Sequence, residues 1–215
     1  MKLTYLYYVL MVACFINSLY FLRDTKVKVL AILLLLSILT EICAEVNIYQ
    51  KVSYYVFYHY FIIVEYALVT LLLSCCIHVK WVRNVMRTSI PVFAVSCTLI
   101  MLYLQDIKKL PSINGGIEGA VIVVWCLRAF YELRVEEHSV VFQQPSFWFI
   151  LAFYIYFVTV TPFNSVFNIL QEDAPYLNIS TKTFMVINSL ANYLLYILCI
   201  IGLYYLKRAK YMQQL

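Results

Sequence analysis

The sequence predicts an all-α membrane protein, a bundle of seven transmembrane helices that forms a single domain over residues 1–215 with no soluble domain. Hydrophobic residues make up 64% of the chain and charged residues only 13%, and the mean hydropathy is +0.84. Soluble domains of this size do not have that composition. The apolar stretches are about as long as the roughly 20 residues that a helix needs to cross a bilayer. They are too long and too uniformly apolar for β-barrel strands.

Seven apolar spans follow one another along the chain with short connections between them. They cover residues 4–22, 29–48, 54–79, 89–105, 113–132, 146–170 and 183–206. The first span is longer than the apolar region of a signal peptide, and no small-residue cleavage pattern follows it, so we expect a retained first helix. The basic stretch from Lys80 to Thr88 is predicted to be a loop.

Basic residues are distributed unevenly over the predicted loops, and this sets the expected orientation. Loops that retain many Lys and Arg residues stay in the cytoplasm. Five basic residues lie on the side of the N-terminus, namely Lys2, Lys51, Lys108, Lys109 and Lys182. The opposite side holds eleven, namely Arg23, Lys26, Lys28, Lys80, Arg83, Arg87, Arg128, Arg134, Lys207, Arg208 and Lys210. The N-terminus is therefore predicted outside and the C-terminus in the cytoplasm, in a bacterial inner membrane.

Several function classes do not fit the composition. The basic residues flank apolar spans, where they anchor topology, so no nucleic-acid partner is expected. All seven cysteines lie inside apolar segments and are read as small buried side chains. No lysine lies between Lys182 and Lys207, which excludes a retinal Schiff base in the last span. No cofactor is predicted.

Polar side chains inside the spans are the strongest functional signal in the sequence. With the predicted orientation, nearly all of them fall in the outer half of the bilayer. A carboxylate near the bilayer centre, as at Glu65, costs about 2.5–3.5 kcal/mol to insert and must face other helices, a partner or water. The predicted ligand-binding or proton-binding residues are Glu41, Glu45, His59, Glu65, Glu118, Asn164, Asn168, Asn188 and Asn192.

Structural interpretations of the same residues stay open. Asparagine pairs four residues apart often hold membrane helices together. Glu45 and Glu118 could reach water at the membrane surface, and His59 could be a hydrogen-bonded packing residue. Glu65 could be a protonated structural carboxyl group. A carboxylate metal site is chemically possible, but the Glu-x-x-His pairing of helical di-iron proteins is absent, so neither a metal nor a catalytic residue is predicted.

Glycines surround one of the candidate carboxylates. Glu118 lies in the segment from Asn114 to Gly119, which contains three of the four glycines in the chain. Glycine inside a span permits close approach by another helix or by a ligand. Glu118 is therefore a stronger candidate than a carboxylate without such neighbours.

One short stretch of the third span carries a resemblance. The sequence Tyr58-His59-Tyr60 followed by Glu65-Tyr66, in a chain of seven spans rich in Tyr and Phe, resembles small bacterial seven-helix membrane proteins whose activity is not known. The resemblance implies the seven-helix architecture and no activity, cofactor or site residue.

The pattern as a whole predicts a non-enzymatic inner-membrane sensor or accessory subunit for signalling. An outward-facing acidic pocket would bind a small cationic ligand or a proton. The output would pass to a membrane or cytoplasmic protein partner, or to a second copy of the chain. The alternatives are a small proton- or cation-coupled transporter or channel subunit, and an intramembrane enzyme that modifies lipids.

Overall fold

A computed structural model describes residues 2–49, 55–107, 109–135, 141–172 and 181–212, and within these ranges the chain is helical apart from short connections and contains no strand. A single 3₁₀ turn spans Val141–Gln143. The seven α-helices are α1 (Lys2–Leu19), α2 (Thr25–Tyr49), α3 (Tyr55–Ser74), α4 (Lys80–Tyr103), α5 (Ser112–Val135), α6 (Pro145–Glu172) and α7 (Thr181–Met212).

Six of these helices, α2 to α7, are long and apolar enough to cross a membrane. Their spanning segments are 20–24 residues long, with mean hydropathies of 1.4–2.3. Helix α1 is apolar over the shorter segment Leu6–Leu19. The prediction of an all-helical chain is confirmed, and six of the seven predicted spans form helices long and apolar enough to cross a membrane within the described residues.

The predicted loop from Lys80 to Thr88 is wrong, because it forms the first turns of α4. Its basic residues suggested a connection, but Val82 and Met86 are four residues apart and both are buried on one face of the helix. Burial of this face outweighs the cost of the charged residues on the other face. Helix α4 also continues through Pro91, a second proline within a span besides Pro162 in α6.

Six helices form a closed ring, and α4 lies outside it. Around the ring, α1 contacts α2, α2 contacts α3, α3 contacts α5, α5 contacts α6, α6 contacts α7, and α7 returns to α1. Helix α4 packs mainly against α3. The ring therefore encloses a central space that α4 does not border.

Polar contacts join separate parts of the bundle at its more basic end, including two helices that are not neighbours in the ring. Lys26 in the first turn of α2 donates a hydrogen bond of 2.7 Å to the Ser146 hydroxyl in the first turn of α6. Near the end of α5, Glu132 forms a 2.7 Å ion pair with Arg128 and accepts a 2.7 Å hydrogen bond from the backbone N–H of His78. These contacts connect the helices at the more basic end of the ring. The central cavity lies towards the other end.

Candidate functional site

A cavity of about 290 Å³ occupies the centre of the six-helix ring. It is lined by α1, α2, α3, α5, α6 and α7, and by Leu110 and Pro111 from the connection before α5. Tyr55, the first residue of α3, also lines it. The cavity therefore extends from the less basic end of the bundle towards its middle, where Glu65 lies.

Three carboxylates from three helices line this cavity. Glu41 comes from α2, Glu65 from α3 and Glu118 from α5. The described lining contains no Lys, Arg or His residue. The cavity thus concentrates negative charge with no basic side chain on its wall.

Glu41 is held by tyrosine hydroxyls. Tyr8 of α1 donates a hydrogen bond of 3.2 Å to Glu41 Oε2, and Tyr58 of α3 donates one of 3.5 Å to the same oxygen. Tyr8 also lies 3.5 Å from Glu45 Oε1, one turn further along α2. Glu45 is exposed and does not line the cavity. Of these two carboxylates on one helix face, only Glu41 therefore belongs to the cavity wall.

Glu118 is buried without a partner. Its side chain lines the cavity, the residue is 3% exposed, and its Oε1 atom has no hydrogen-bond partner among the described residues. Glu65 is half-buried at the same cavity and likewise receives no hydrogen bond from the described part of the chain. A buried carboxylate without a donor is rare in folded proteins, because leaving it unpaired costs free energy.

The asparagines behave partly as expected. Asn164 of α6 and Asn188 and Asn192 of α7 line the cavity. The Asn192 amide donates a hydrogen bond of 2.9 Å to the Asn188 carbonyl oxygen and lies 3.4 Å from Asn188 Oδ1. Both contacts lie within α7, so neither of them joins this helix to another. The side chain of Asn168 lies outside the described part of the chain.

His59 does not reach the cavity. The residue is fully buried, and its Nε2 atom lies 3.0 Å from the carbonyl oxygen of Lys109 in the connection before α5. The next two residues of that connection, Leu110 and Pro111, line the cavity. His59 therefore holds the segment that forms part of the cavity wall, and the expectation that it lies with the carboxylates does not match this position.

The sequence interpretation missed the tyrosines and hydroxyls of the cavity wall. Four tyrosines line it, together with three shorter hydroxyl side chains, namely Tyr55, Tyr58, Tyr156, Tyr196, Ser37, Thr40 and Thr161. Their spacing from the predicted residues was the available signal. Ser37 precedes Glu41 by four residues, and Tyr196 follows Asn192 by four, so each shares a helix face with its predicted neighbour.

The cavity wall combines carboxylate acceptors with hydroxyl and amide groups that can both donate and accept hydrogen bonds. No group of three or more His, Cys, Asp or Glu side chains that could hold a metal ion occurs among the described residues. Three carboxylates and three amides surrounded by aromatic rings can hold a proton or accept hydrogen bonds from a positively charged donor.

Comparisons with known proteins do not extend this description. No protein-family model, no curated protein and no solved structure matches the chain. The resemblance to small bacterial seven-helix membrane proteins stays a prediction, and a function has to be argued from the cavity itself.

Proposed function

We propose that the protein is a sensor or accessory subunit of a bacterial inner membrane, with the central cavity as its outward-facing binding site. One observation carries this proposal. Glu41, Glu65 and Glu118, which are far apart in the sequence, line a single cavity that has no basic residue in its described wall. Carboxylates are expensive inside a bilayer, and membrane proteins place them where they bind ions, protons or ligands.

The outward orientation follows from the distribution of basic residues. The cavity lies towards the end of the bundle whose segments contain five basic residues in the sequence, whereas the segments at the other end contain eleven. Because cytoplasmic loops are enriched in Lys and Arg, the cavity end faces outside and the C-terminus lies in the cytoplasm.

A protein partner is needed to pass on the output. The connections between helices are short, and the described chain contains no soluble domain. We expect a change in the cavity to leave the bundle through the short cytoplasmic loops, the tail from Lys207 to Leu215 or lateral helix contacts. The partner is a membrane or cytoplasmic protein, or a second copy of the chain.

One feature favours a second candidate function. The unpartnered Glu118 carboxyl group, enclosed at a cavity in the bundle, is the type of residue on which proton- and cation-coupled transporters and channel subunits rely. Flux distinguishes the two functions, since a sensor binds without conducting.

The test combines flux and association. Purified protein in liposomes is given a potassium gradient with valinomycin, and proton entry is followed with an enclosed pH dye. In cells, a photo-crosslinking residue at the exposed Arg208 position reports contacts at the basic end. We expect no protein-dependent flux, and a defined crosslinked product whose yield changes in Glu118→Gln. Flux that disappears in Glu118→Gln would establish the transporter instead.

A further inference from the structure

The charge of the cavity requires a positive occupant or protons. Its three carboxylates can carry up to three negative charges, and the described lining offers no Lys, Arg or His to balance them. Buried charges in proteins are paired, protonated or bound to cations. The cavity is thus built to prefer a positively charged ligand over a neutral or negative one.

Glu118 is a specific position in the cavity at which a positively charged group could bind. The residue is 3% exposed and lines the cavity, yet its Oε1 atom has no hydrogen-bond partner in the described chain. Nearly all buried polar atoms in folded proteins have such a partner. Because Glu118 lines the cavity, an N–H donor on a ligand there would give its carboxyl group a partner, and a charged donor would form the stronger bond.

The size and walls of the cavity favour an organic cation over a metal ion. A volume of about 290 Å³ is far more than one ion or one water fills, since a single water needs only about 10–15 Å³ of such space. The described residues hold no cluster of three metal ligands. Seven aromatic side chains line the cavity, namely Tyr55, Tyr58, Phe61, Phe153, Tyr156, Phe157 and Tyr196. Aromatic faces attract ammonium groups and pack against hydrocarbon.

We infer that the ligand is a small organic amine, bound as its ammonium form, with the charged group at Glu65 and Glu118 and the hydrocarbon part against the aromatic wall. This inference rests on the proposed binding role of the cavity and adds the ligand class to it. Glu41 is less suited to hold the ammonium group, because the Tyr8 and Tyr58 hydroxyls already donate to its Oε2 atom.

The test compares amines with alcohols of the same shape. The full-length protein in detergent at pH 7 and constant ionic strength is titrated with butylamine, 1,4-diaminobutane or 2-phenylethylamine. The matched neutral probes are butanol and 2-phenylethanol, and sodium and magnesium chloride are the inorganic probes. Thermal unfolding is followed by intrinsic fluorescence, because a ligand that binds only the folded state raises Tm with concentration.

Variants locate the binding. We expect at least one amine to raise Tm saturably, and its alcohol to have no such effect. Glu65→Gln and Glu118→Gln should each weaken apparent affinity about tenfold or more, since each removes a charged acceptor. Glu45→Gln is the matched control, because Glu45 is exposed and outside the cavity, and it should leave affinity unchanged within about twofold. Size-exclusion chromatography of each variant verifies the fold.

Any of four results would overturn the inference. Three of them are an equal Tm rise with amine and alcohol, a rise with sodium or magnesium chloride that matches the amine, and undiminished amine affinity in both glutamine variants. The absence of a saturable rise with any of the three amines would also overturn it, whereas the crosslinking experiment would still test the sensor. Uptake of a radiolabelled amine into liposomes would keep the ligand class and overturn the sensor in favour of transport.

Discussion

Gly119 of α5 lies so close to Thr161 of α6 that a Cβ atom at position 119 would come within 2.7 Å of Thr161 Cβ. One turn along α6, a Cβ atom at position 116 would come within 2.5 Å of Ser165 Oγ. Small residues allow membrane helices to approach closely, and close packing drives their association in lipid. Because Glu118 and Thr161 both line the cavity, this contact sets the width of the cavity between α5 and α6.

The first prediction uses this contact. Gly119→Ala should destabilise the protein by about 1–3 kcal/mol, because the new methyl group must displace Thr161 or the α6 backbone. Gly115→Ala is the matched control on the same helix, since its nearest neighbours, Ile62 Cδ1 and the Asn164 side chain, are 3.8–3.9 Å away. Thermal unfolding in one detergent measures both. Equal Tm values for the two variants would show that α5 and α6 are further apart than described.

The depth of the candidate residues in the bilayer could be predicted from the sequence, but the helix face that turns each side chain towards the cavity could not. Alternating span directions placed Glu41 and Glu118 in the outer half of the bilayer and Glu65 near its middle, and the structure brings all three to one cavity. The predicted depth of His59 is also similar to that of these carboxylates. Six residues separate it from Glu65, which turns it about 120° away on the helix. It therefore faces the connection before α5, where it contacts Lys109.

The order of the helices around the ring could not be predicted from the sequence either. Apolar residues cover every face of a membrane helix, so hydrophobic periodicity does not show which face meets another helix and which meets lipid. Helix α4 illustrates this, since Val92 and Leu102 are exposed although they are as apolar as core residues. The exclusion of α4 from the ring depends on contacts between segments distant in the chain.

The second prediction concerns the basic end. Glu132 is 7% exposed, pairs with Arg128 at 2.7 Å and accepts the His78 N–H at 2.7 Å. Glu132→Ala removes the acceptor of both contacts and should cost about 1.5–3 kcal/mol, the range for hydrogen bonds to charged groups. Glu45→Ala, at an exposed carboxylate, should stay within about 0.5 kcal/mol of the parent. Chemical denaturation in mixed micelles gives both values, and similar losses in the two variants would refute the Glu132 contacts.

The third prediction tests the orientation. A cysteine at Leu104, which is 71% exposed, should react with a membrane-impermeant maleimide from outside, and a cysteine at Tyr20, which is 78% exposed, only from the cytoplasm. The positions follow α4 and α1 at opposite ends of the bundle. Right-side-out and inverted vesicles provide the two sides.

The native cysteines need little change for this experiment. Five are buried, whereas Cys43 is exposed and Cys75 is half-buried. Replacing these two by alanine therefore removes the native thiols that the maleimide could reach. Labelling of the Leu104→Cys variant only in inverted vesicles would show that the topology is the opposite of the predicted one. The cavity would then open towards the cytoplasm, contrary to the proposed sensor.

The last prediction asks whether the three carboxylates act together. Each one that loses its proton adds a negative charge to a cavity whose described wall has no basic residue, and the charges repel one another in a medium of low dielectric constant. The unfolded chain has no such repulsion, so the folded state holds its protons more tightly and stability must fall as pH rises. We therefore expect Tm to decrease between pH 5 and pH 8. An amine that binds in the cavity should reduce this decrease by balancing the charge.

Changing Glu41, Glu65 and Glu118 together to glutamine should flatten the profile, because the amides keep the shape of the carboxyl groups and cannot ionise. His59 and the other histidines are present in both proteins, so the difference between the two profiles isolates the cavity. Glu45→Gln should keep the slope of the parent. If the parent profile is flat and the triple variant has the same profile, the carboxylates serve only to join helices, and the cavity loses its role as a binding site for positive charge.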